Sequence, residues 1–362
     1  MGSAVSYNLA RKGMKVMALD RFGLGHTQGS SHGQTRIIRL AYYEDTRYVP
    51  ILRRAFESWR ELEAFTGKKL LSMTGGLMIG NPEGELVTGV LRSAKGHGIP
   101  HRLLARRELE DEFPAFTMDD SMSAVYEESA GVLYSEDCIE AFVAAGKEAG
   151  CEYRFDEPMT AWKSVHEGVE VETKNGMVRA DKVVFAAGAW NRELLRGAAP
   201  LECERQVPFW FSPGRERCFG LGEMPVFIFE EPGGRFFYGI PDVGRGVKVA
   251  RTHGGEACDP ETIRRSVTDA DVAPVVDFVK DRMKRLETPP IASTTCIYTN
   301  TPDLNFALGG LPGEPRITCV SACSGHGFKF ASVMGEIVSD LVEGRKTSLD
   351  VSFLGMDRFS HA

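Results

Sequence analysis

Residues 2–20 read GSAVSYNLARKGMKVMALD, and this stretch decides the fold that the sequence predicts. Its apolar side chains recur at helical spacing up to Gly13, and an apolar strand from Lys15 to Asp20 follows. A helix, a strand and a terminal acid form the second half of a dinucleotide-binding βαβ unit. In that unit the helix N-terminus binds a pyrophosphate and the acid binds a ribose hydroxyl. Asp20 lies 18 residues after Gly2, close to the spacing of about 20 that such an acid has.

The match to the βαβ unit is incomplete at its start. Only the last glycine of the G-x-G-x-x-G turn, Gly2, is present, and the opening strand does not precede it. Without that strand, sheet edges would be exposed and pyrophosphate binding would be weak. An ordinary helix that leads into a core strand therefore stays open as the alternative interpretation.

Composition limits the class of protein. The 362 residues suffice for two domains, and 43% hydrophobic with 26% charged residues is ordinary for a globular chain and excludes disorder. The net charge is -7, which argues against a nucleic-acid-binding surface and favours a small-molecule partner. No apolar run reaches the roughly 18 residues of a membrane span, and no cleavable leader is visible. We expect a cytoplasmic protein without a membrane segment.

The eight cysteines do not form a recognisable framework. They include no C-x-x-C pair and no Cys/His cluster at zinc-finger spacing, so free thiols and no metal site are expected. A lone cysteine such as Cys296 is more often a small buried apolar residue than a reactive one.

Periodicity and turn residues predict the other main elements. A long loop rich in Gly, Ser and His runs from Gly23 to Gly33. The predicted helices span Thr46–Phe65, Asp137–Gly150, Asp259–Arg285 and Lys329–Glu343. Strands are predicted at Gly75–Gly80, at Gly131–Tyr134, in the hairpin around Asn175-Gly176, in DKVVFAAGAW, several times within Phe209–Thr252, and at Arg316–Ala322.

Three motifs could bind a charged ligand. Arg36 and Arg39, three residues apart, offer guanidinium groups that can reach two different sites. Gly188 ends a buried strand at the edge where ligands of open α/β sheets bind. Lys329 follows the turn SGHG at a helix start, where N–H groups favour an anion such as a reduced flavin. Solvated cations and tight strand–helix packing are the ordinary alternatives for each motif.

Read in order, these segments resemble the monomeric sarcosine oxidase and N-methyltryptophan oxidase family. The resemblance spans nearly the whole chain. The phrases that carry it are DRFGLGHTQGSSHGQTRIIR, AYYEDTRYVP, GVLYSEDC, AAGAWN, CIYTNTPD and SGHGFKFASVMGEI.

The resemblance implies an FAD enzyme that oxidises the C–N bond of a secondary amino acid, commonly an N-methyl group. Hydride equivalents would pass to the flavin, and water would hydrolyse the imine to formaldehyde and the primary amine. Dioxygen would then reoxidise the flavin and form hydrogen peroxide. The implied partners are an amino acid substrate and dioxygen, and the implied state is a monomer.

The resemblance also implies roles for single residues. Cys296 matches the cysteine bonded covalently to the flavin, Arg39 and Lys329 match the residues that hold the substrate carboxylate, and Lys248 matches the oxygen-activating lysine. Tyr238 and Tyr298 match tyrosines of the substrate pocket; His32 and Arg36 would lie near the flavin ring, and Asp20 would bind the adenosine ribose. The other expected cofactor-binding residues are Gly2, Arg21, Ser30, Gly188, Trp190, Gly325, Gly327 and Phe328.

One departure affects the substrate pocket. Four residues after Lys248 the family has a histidine, whereas this chain has Thr252, followed by His253. In a strand, neighbouring side chains point to opposite faces, so His253 would replace the pocket histidine only through a shift of register. We include His253 among the candidate catalytic residues, and the identity of the substrate stays open.

The predicted fold is α/β, with a discontinuous Rossmann-like FAD-binding domain and a substrate domain built on a mixed or antiparallel sheet. The FAD-binding domain is expected to comprise residues 1–80, 135–205 and 290–362, and the substrate domain residues 81–134 and 206–289. Two functional alternatives stay open: a dehydrogenase that uses an acceptor other than oxygen, and a chain without catalysis that binds a carboxylate but no flavin. A nicotinamide enzyme is the weaker option, since nothing beyond the βα segment favours it.

Overall fold

A computed structural model describes residues 1–321 and 324–359. Within these ranges the helices are α1 (Gly2–Arg11), α2 (Tyr48–Thr66), α3 (Glu85–His97), α4 (Arg106–Glu112), α5 (Ser135–Glu148), α6 (Asn191–Leu194), α7 (Asp269–Arg282) and α8 (Ala331–Val342). The strands are β1 (Met17–Leu19), β2 (Thr35–Ile38), β3 (Leu71–Met73), β4 (Gly76–Gly80), β5 (Arg102–Leu104), β6 (Ser123–Glu127), β7 (Gly131–Tyr134), β8 (Glu152–Arg154), β9 (Met159–Val165), β10 (Gly168–Thr173), β11 (Gly176–Ala180), β12 (Val183–Phe185), β13 (Glu202–Gln206), β14 (Phe209–Phe211), β15 (Val226–Glu231), β16 (Arg235–Ile240), β17 (Val247–Thr252), β18 (Ala292–Ser293), β19 (Cys296–Asn300), β20 (Ala307–Leu311) and β21 (Glu314–Ser321).

The largest sheet has eight strands and is mixed, as the sequence predicts. Its order is β18-β14-β17-β16-β15-β4-β6-β5, and β4 and β15 are its parallel pair. Aromatic side chains of β15 and β16 cover one face, where the ring of Phe237 stacks on Phe278 of α7 at 4.3 Å. The other face carries Tyr238 and Lys248 towards the site described below. Strands β4 and β18 of this sheet come from the segments predicted for the FAD-binding domain.

A second region combines short parallel strands with helices. β1 pairs with β8 and β12 pairs with β21, both in parallel, while β20 runs antiparallel to β21. α1 packs against α5 and α8. Gly335 in α8 permits this close contact, because a Cβ there would lie 2.6 Å from the carbonyl oxygen of Ala4. The α/β architecture is therefore confirmed.

Most predicted elements are found within a few residues of their expected bounds, and the hairpin at Asn175-Gly176 joins β10 to β11. The helix predicted over Asp259–Arg285 is wrong in its first ten residues, since α7 begins at Asp269. Thr268 ends the preceding irregular segment, because its backbone N–H and its hydroxyl both donate to the Asp271 carboxylate at the helix start. Likewise, a 3-10 turn at Phe328–Phe330 precedes α8.

Two predicted features fall partly outside the described residues: the last residue of the predicted strand, Ala322, and one of the eight cysteines, Cys323. The seven cysteines that the structure describes form no disulfide with one another. Among the residues that the structure describes, no helix is both long and apolar enough to cross a membrane. No group of His, Cys, Asp and Glu suited to a metal ion occurs within 1–321 and 324–359.

Candidate active site

Lys248 is buried where the eight-stranded sheet meets the loop before β2. It is 2% exposed, and its Nζ donates to the carbonyl oxygens of Gly33 and Thr35, each at 2.9 Å. These two bonds fix the lysine, and in the ammonium form, which has three donors, they leave one N–H for a ligand. Burial, followed by the charge of Arg36, lowers the pKa of Lys248 well below its usual range.

Glu136 holds the loop that carries these two carbonyls. Its Oε1 accepts the backbone N–H groups of Gly33 at 2.8 Å and Gln34 at 3.0 Å, and the Ser135 hydroxyl donates to its Oε2 at 2.6 Å. Gly33 has a φ of 93°, a conformation that favours glycine. The loop is therefore shaped by a carboxylate from the first turn of α5.

Arg36 and His32 line the same loop. The Arg36 guanidinium donates to the carbonyl oxygens of Ser30 at 2.6 Å and His32 at 2.7 Å, while the Ser30 hydroxyl donates to the carbonyl of Ile297 at 2.5 Å. Burial, and then the charge of Arg36, lowers the pKa of His32 to about 4. The Nε2 atom of His32 is buried without a hydrogen-bond partner, so one polar atom of the loop remains available to a ligand.

Strand β19 places Cys296 and Tyr298 on one face, since side chains two residues apart in a strand share a face. Burial raises the pKa of Tyr238 to about 12 and that of Tyr298 well above its usual value, so both phenols are neutral at physiological pH. Electrostatic interaction with Cys296 contributes to the pKa of both tyrosines and of Lys248. The structure therefore brings these four predicted residues together.

The expectation that His253 would point away from the pocket without a register shift is wrong. β17 ends at Thr252, so the alternation of a strand does not extend to His253, whose φ is 59°. The imidazole lies edge-on to the Tyr298 ring at 5.4 Å between centroids, and its Nδ1 is 3.5 Å from Oε2 of Glu204. The Thr252 hydroxyl is 3.5 Å from the Tyr298 hydroxyl. Both residues therefore reach the same tyrosine.

Gly325 explains why the SGHG turn needs glycine. Its φ is 78°, and a Cβ at this position would lie 2.5 Å from Cε2 of Tyr298. Gly188, which also has a positive φ of 58°, begins the 3-10 turn after β12. In the same region Gly327 accepts a hydrogen bond from the N–H of Phe330, and the guanidinium of Arg36 lies 5.7 Å from the centre of the Phe328 ring.

Arg39 and Lys329 form a second cationic group. Arg39 is 2% exposed, and its guanidinium donates to both carboxylate oxygens of Glu44 at 2.7 Å. Lys329 is 6% exposed and donates to the carbonyl of His326 at 2.8 Å. Both cations lie close to the Tyr42 ring, whose centre is 4.2 Å from Cζ of Arg39 and 5.3 Å from Nζ of Lys329. Arg36 and Arg39 thus reach two different sites, as their spacing predicts.

The protonation states of this group follow from burial and neighbouring charge. Burial, and then the Arg39 charge, lowers the pKa of Lys329 to about 7, whereas Glu44 opposes that shift. Arg39 and the nearby cations hold the pKa of Glu44 below its usual value despite burial. The Arg39 pKa is raised by Glu44 against the effect of burial. Arg39 and Glu44 are therefore ionised at neutral pH, and Lys329 lies near its midpoint.

Asp20, predicted for the adenosine ribose, follows β1, and three other residues predicted to bind the cofactor are Gly2, Arg21 and Trp190. Asp20 accepts a hydrogen bond from the N–H of Phe22 at 2.9 Å, and burial raises its pKa. The Trp190 indole donates to Glu261 at 2.7 Å, and the Arg21 guanidinium forms an ion pair with the same carboxylate. Arg21 and Trp190 are therefore bound to each other through Glu261. Gly2 begins α1.

The family model described as FAD dependent oxidoreductase matches residues 1–341. This chain belongs to that family. Monomeric sarcosine oxidase of Streptomyces avermitilis is 38% identical over 94% of this chain and 90% of its own length. N-methyl-L-tryptophan oxidase of Yersinia pestis is 33% identical over 99% of this chain and 96% of its own length. The resemblance stated from the sequence is confirmed, and so is the predicted enzyme class, a sarcosine oxidase-like FAD-dependent amine oxidase.

Several solved structures share the fold of this chain. NikD, an unusual amino acid oxidase essential for nikkomycin biosynthesis, has a TM-score of 0.86 at 20% identity, covering 98% of this chain and 94% of its own. L-proline dehydrogenase from P. horikoshii has a TM-score of 0.84 at 21% identity, covering 99% of this chain and 95% of its own. Glycine oxidase from Geobacillus kaustophilus has a TM-score of 0.81 at 20% identity, covering 98% of this chain and 95% of its own.

The residues at the ring end of the site fit a flavin. The unpartnered Nε2 of His32 and the remaining N–H of Lys248 can bind polar atoms of the cofactor. Gly325 keeps the space beside Tyr298 free of a side chain, and Cys296 lies on the same face of β19 as that tyrosine. These groups would hold the flavin ring in this flavoenzyme, and Asp20 would hold the far end of FAD.

Four residues of the site were missed by sequence reasoning: Tyr42, Glu44, Glu136 and His326. Each contacts a partner that is distant in the sequence or lies across a turn, as Glu136 contacts Gly33. No rule of sequence spacing connects such pairs. A signal was present for Tyr42 and Glu44, which lie three and five residues after Arg39, in the phrase AYYEDTRYVP. His326 lies inside the SGHG motif, where only the glycines and Lys329 drew attention.

Proposed function

We propose that this chain oxidises the C–N bond of a secondary (N-methyl) amino acid such as sarcosine or N-methyltryptophan. The products are formaldehyde, the primary amino acid and hydrogen peroxide. The observation that supports this most is the pair of buried basic side chains, Arg39 and Lys329, which lie 4.2 Å and 5.3 Å from the centre of the same tyrosine ring, that of Tyr42. Two cations that face one site are suited to a single carboxylate.

The substrate carboxylate would bind between Arg39 and Lys329. One nitrogen of Arg39 donates both of its hydrogen bonds to Glu44. The substrate would bring a second carboxylate to the group, and its negative charge would raise the pKa of Lys329. The ammonium form of Lys329 then supplies a charge-assisted hydrogen bond. Binding at one end leaves the amine to face the neutral phenols.

The pocket favours the neutral form of the substrate amine. Tyr238 and Tyr298 are un-ionised hydroxyls, and the positive charge of Arg36 acts on both. An ammonium ion would be repelled there, whereas a neutral amine can accept a hydrogen bond from a tyrosine hydroxyl. FAD, when bound, supplies the electron acceptor for the oxidation. The chain supplies position, charge and exclusion of water.

Lys248 supports oxygen rather than another molecule as the final acceptor. Its side chain is fixed by two carbonyls and has one N–H left, and negative charge beside it favours the ammonium form. Such a cation stabilises superoxide as the first electron reaches dioxygen.

The Lys248→Met variant separates the oxidase from a dehydrogenase. We expect anaerobic flavin reduction by substrate to keep its rate within a few-fold, and reoxidation by oxygen to fall by about 100-fold or more, the order expected for loss of one electrostatic donor. Stopped-flow absorbance measures both steps. Dye reduction by the unaltered enzyme that far outpaces oxygen consumption would instead favour the dehydrogenase.

We further propose that FAD is attached covalently through Cys296. Acid precipitation tests this, because only a covalently bound flavin stays with the denatured protein. We expect a yellow pellet from the unaltered chain and a colourless pellet from Cys296→Ala, with Cys203→Ala as the control that stays yellow. Colour in the supernatant of the unaltered chain would exclude the bond.

The reaction itself is tested with a panel of substrates. Sarcosine and N-methyltryptophan should release peroxide and formaldehyde, whereas proline, a cyclic secondary amine, should release peroxide alone. A protein that binds carboxylates but neither binds flavin nor releases peroxide would match the non-catalytic alternative. A monomeric state, a cytoplasmic location and the division into domains 1–80, 135–205 and 290–362 against 81–134 and 206–289 stay predictions.

A further inference from the structure

The tautomer of His326 is fixed by its two neighbours. Its Nε2 lies 3.0 Å from the carbonyl oxygen of Leu304, and its Nδ1 lies 2.5 Å from the hydroxyl of Tyr42. A carbonyl only accepts hydrogen bonds, so Nε2 carries the proton and Nδ1 is the acceptor. The Tyr42 hydroxyl therefore donates to Nδ1. Desolvation lowers the pKa of His326 to about 4, which keeps this neutral tautomer across the physiological range.

The Tyr42 ring is fully buried and lies close to both cations of the carboxylate site. The cation–π distances are 4.2 Å for Arg39 and 5.3 Å for Lys329. A phenol that donates its proton to a strong acceptor becomes more electron-rich, and this strengthens the attraction of the ring for both cations. The hydrogen bond to His326 thus acts on Arg39 and Lys329 through one ring.

His326 also holds Lys329 by a second route. Its backbone carbonyl accepts the hydrogen bond from Nζ of Lys329 at 2.8 Å. The imidazole itself is packed 4.8 Å from the Phe306 ring and edge-on to the Tyr48 ring at 5.7 Å. One histidine therefore fixes a lysine through its main chain and a tyrosine through its side chain.

We infer that Tyr42 and His326 are positioning residues that set the spacing of Arg39 and Lys329 for the substrate carboxylate. This inference rests on the proposed function, since it concerns the same carboxylate site. Neither residue needs to touch the substrate. Their effect is on affinity for the carboxylate and not on the chemical step.

The Tyr42→Phe variant removes the hydroxyl and keeps the ring. We expect KM for sarcosine to rise about tenfold, the order of one lost hydrogen bond, with kcat within twofold. The Kd of methoxyacetate, an oxygen analogue of sarcosine that cannot be oxidised at nitrogen, should rise by the same factor in a thermal-shift titration. The matched control is Tyr48→Phe, another fully buried tyrosine of the same core, whose hydroxyl donates to Asn305. Its Kd should not change.

A second variant, His326→Leu, removes the acceptor and keeps the backbone carbonyl that binds Lys329. If Tyr42 and His326 act together, the variant that combines both substitutions should lose no more affinity for methoxyacetate than whichever single variant binds it more weakly. Losses that multiply, an unchanged Kd in Tyr42→Phe, or a loss confined to kcat would each overturn the inference. An unaltered enzyme that binds no methoxyacetate and oxidises no N-methyl amino acid would overturn the proposed function as well.

Discussion

The pKa of Lys329, lowered to about 7, predicts how carboxylate binding depends on pH. The ammonium form binds a carboxylate, and it is present below this pKa and lost above it. The other charged members of the site do not titrate in this window. The Arg39 pKa is raised, that of Glu44 is lowered, and that of His326 is about 4. Affinity should therefore fall as pH rises through about 7.

The magnitude follows from the protonated fraction and from one charge-assisted hydrogen bond. Each pH unit above the pKa lowers the ammonium fraction about tenfold. The fall stops once neutral Lys329 contributes nothing, and a hydrogen bond to a charged group contributes about 1.5–3 kcal/mol. The Kd of methoxyacetate should thus be flat below pH about 6 and rise in total by roughly 10- to 100-fold by pH 9.

Methoxyacetate suits this assay because it has no amine, and a carboxylate of this type does not titrate between pH 6 and 9, since such acids ionise near pH ~3.5. Kd can be measured at each pH from the thermal shift and from inhibition of peroxide release. The control is Lys329→Met, which should bind weakly at every pH. A flat Kd for the unaltered enzyme over this range would refute the reasoning, as would a Lys329→Met variant that keeps the pH dependence.

Two further substitutions test packing and charge. Gly325→Ala places a Cβ against the ring of Tyr298. In the same titration, the affinity for methoxyacetate should fall at least fivefold, about 1 kcal/mol. The control is Gly313→Ala, because Gly313 has a similar positive φ but nothing within 4 Å of its added Cβ; this variant reports backbone strain alone and should leave the affinity unchanged. Arg282→Met removes the partner of the Glu231 carboxylate, which is mostly buried, so the free energy of unfolding in urea should fall by about 3 kcal/mol, and an unchanged midpoint would contradict this.

Local sequence rules predicted the parts of this protein that depend on periodicity. The apolar spacing in residues 2–20 is sufficient for α1 and β1, and Gly67 marks the end of α2, where its φ is 68°. The Asn175-Gly176 turn likewise marks the hairpin that joins β10 to β11. These features follow from the sequence because burial of one face is decided by neighbours in the chain.

Element ends were harder, since they depend on single contacts. The overlong prediction for α7 failed because the cap at Thr268, and not the helical propensity before it, decides where the helix starts. The same limit applied to His253. Its orientation depends on where β17 ends, which is at Thr252, the residue before it.

Tertiary structure alone decided the partners of the charged groups. The sequence supplies Arg39 and Lys329 as cations 290 residues apart, but only packing brings both to the Tyr42 ring, pairs Arg39 with Glu44 and lowers the pKa of Lys329 to about 7. Burial removes water from each charge, so its protonation is decided by whichever groups the fold places within a few ångströms. Those groups come from distant segments, and no local pattern in the sequence records them.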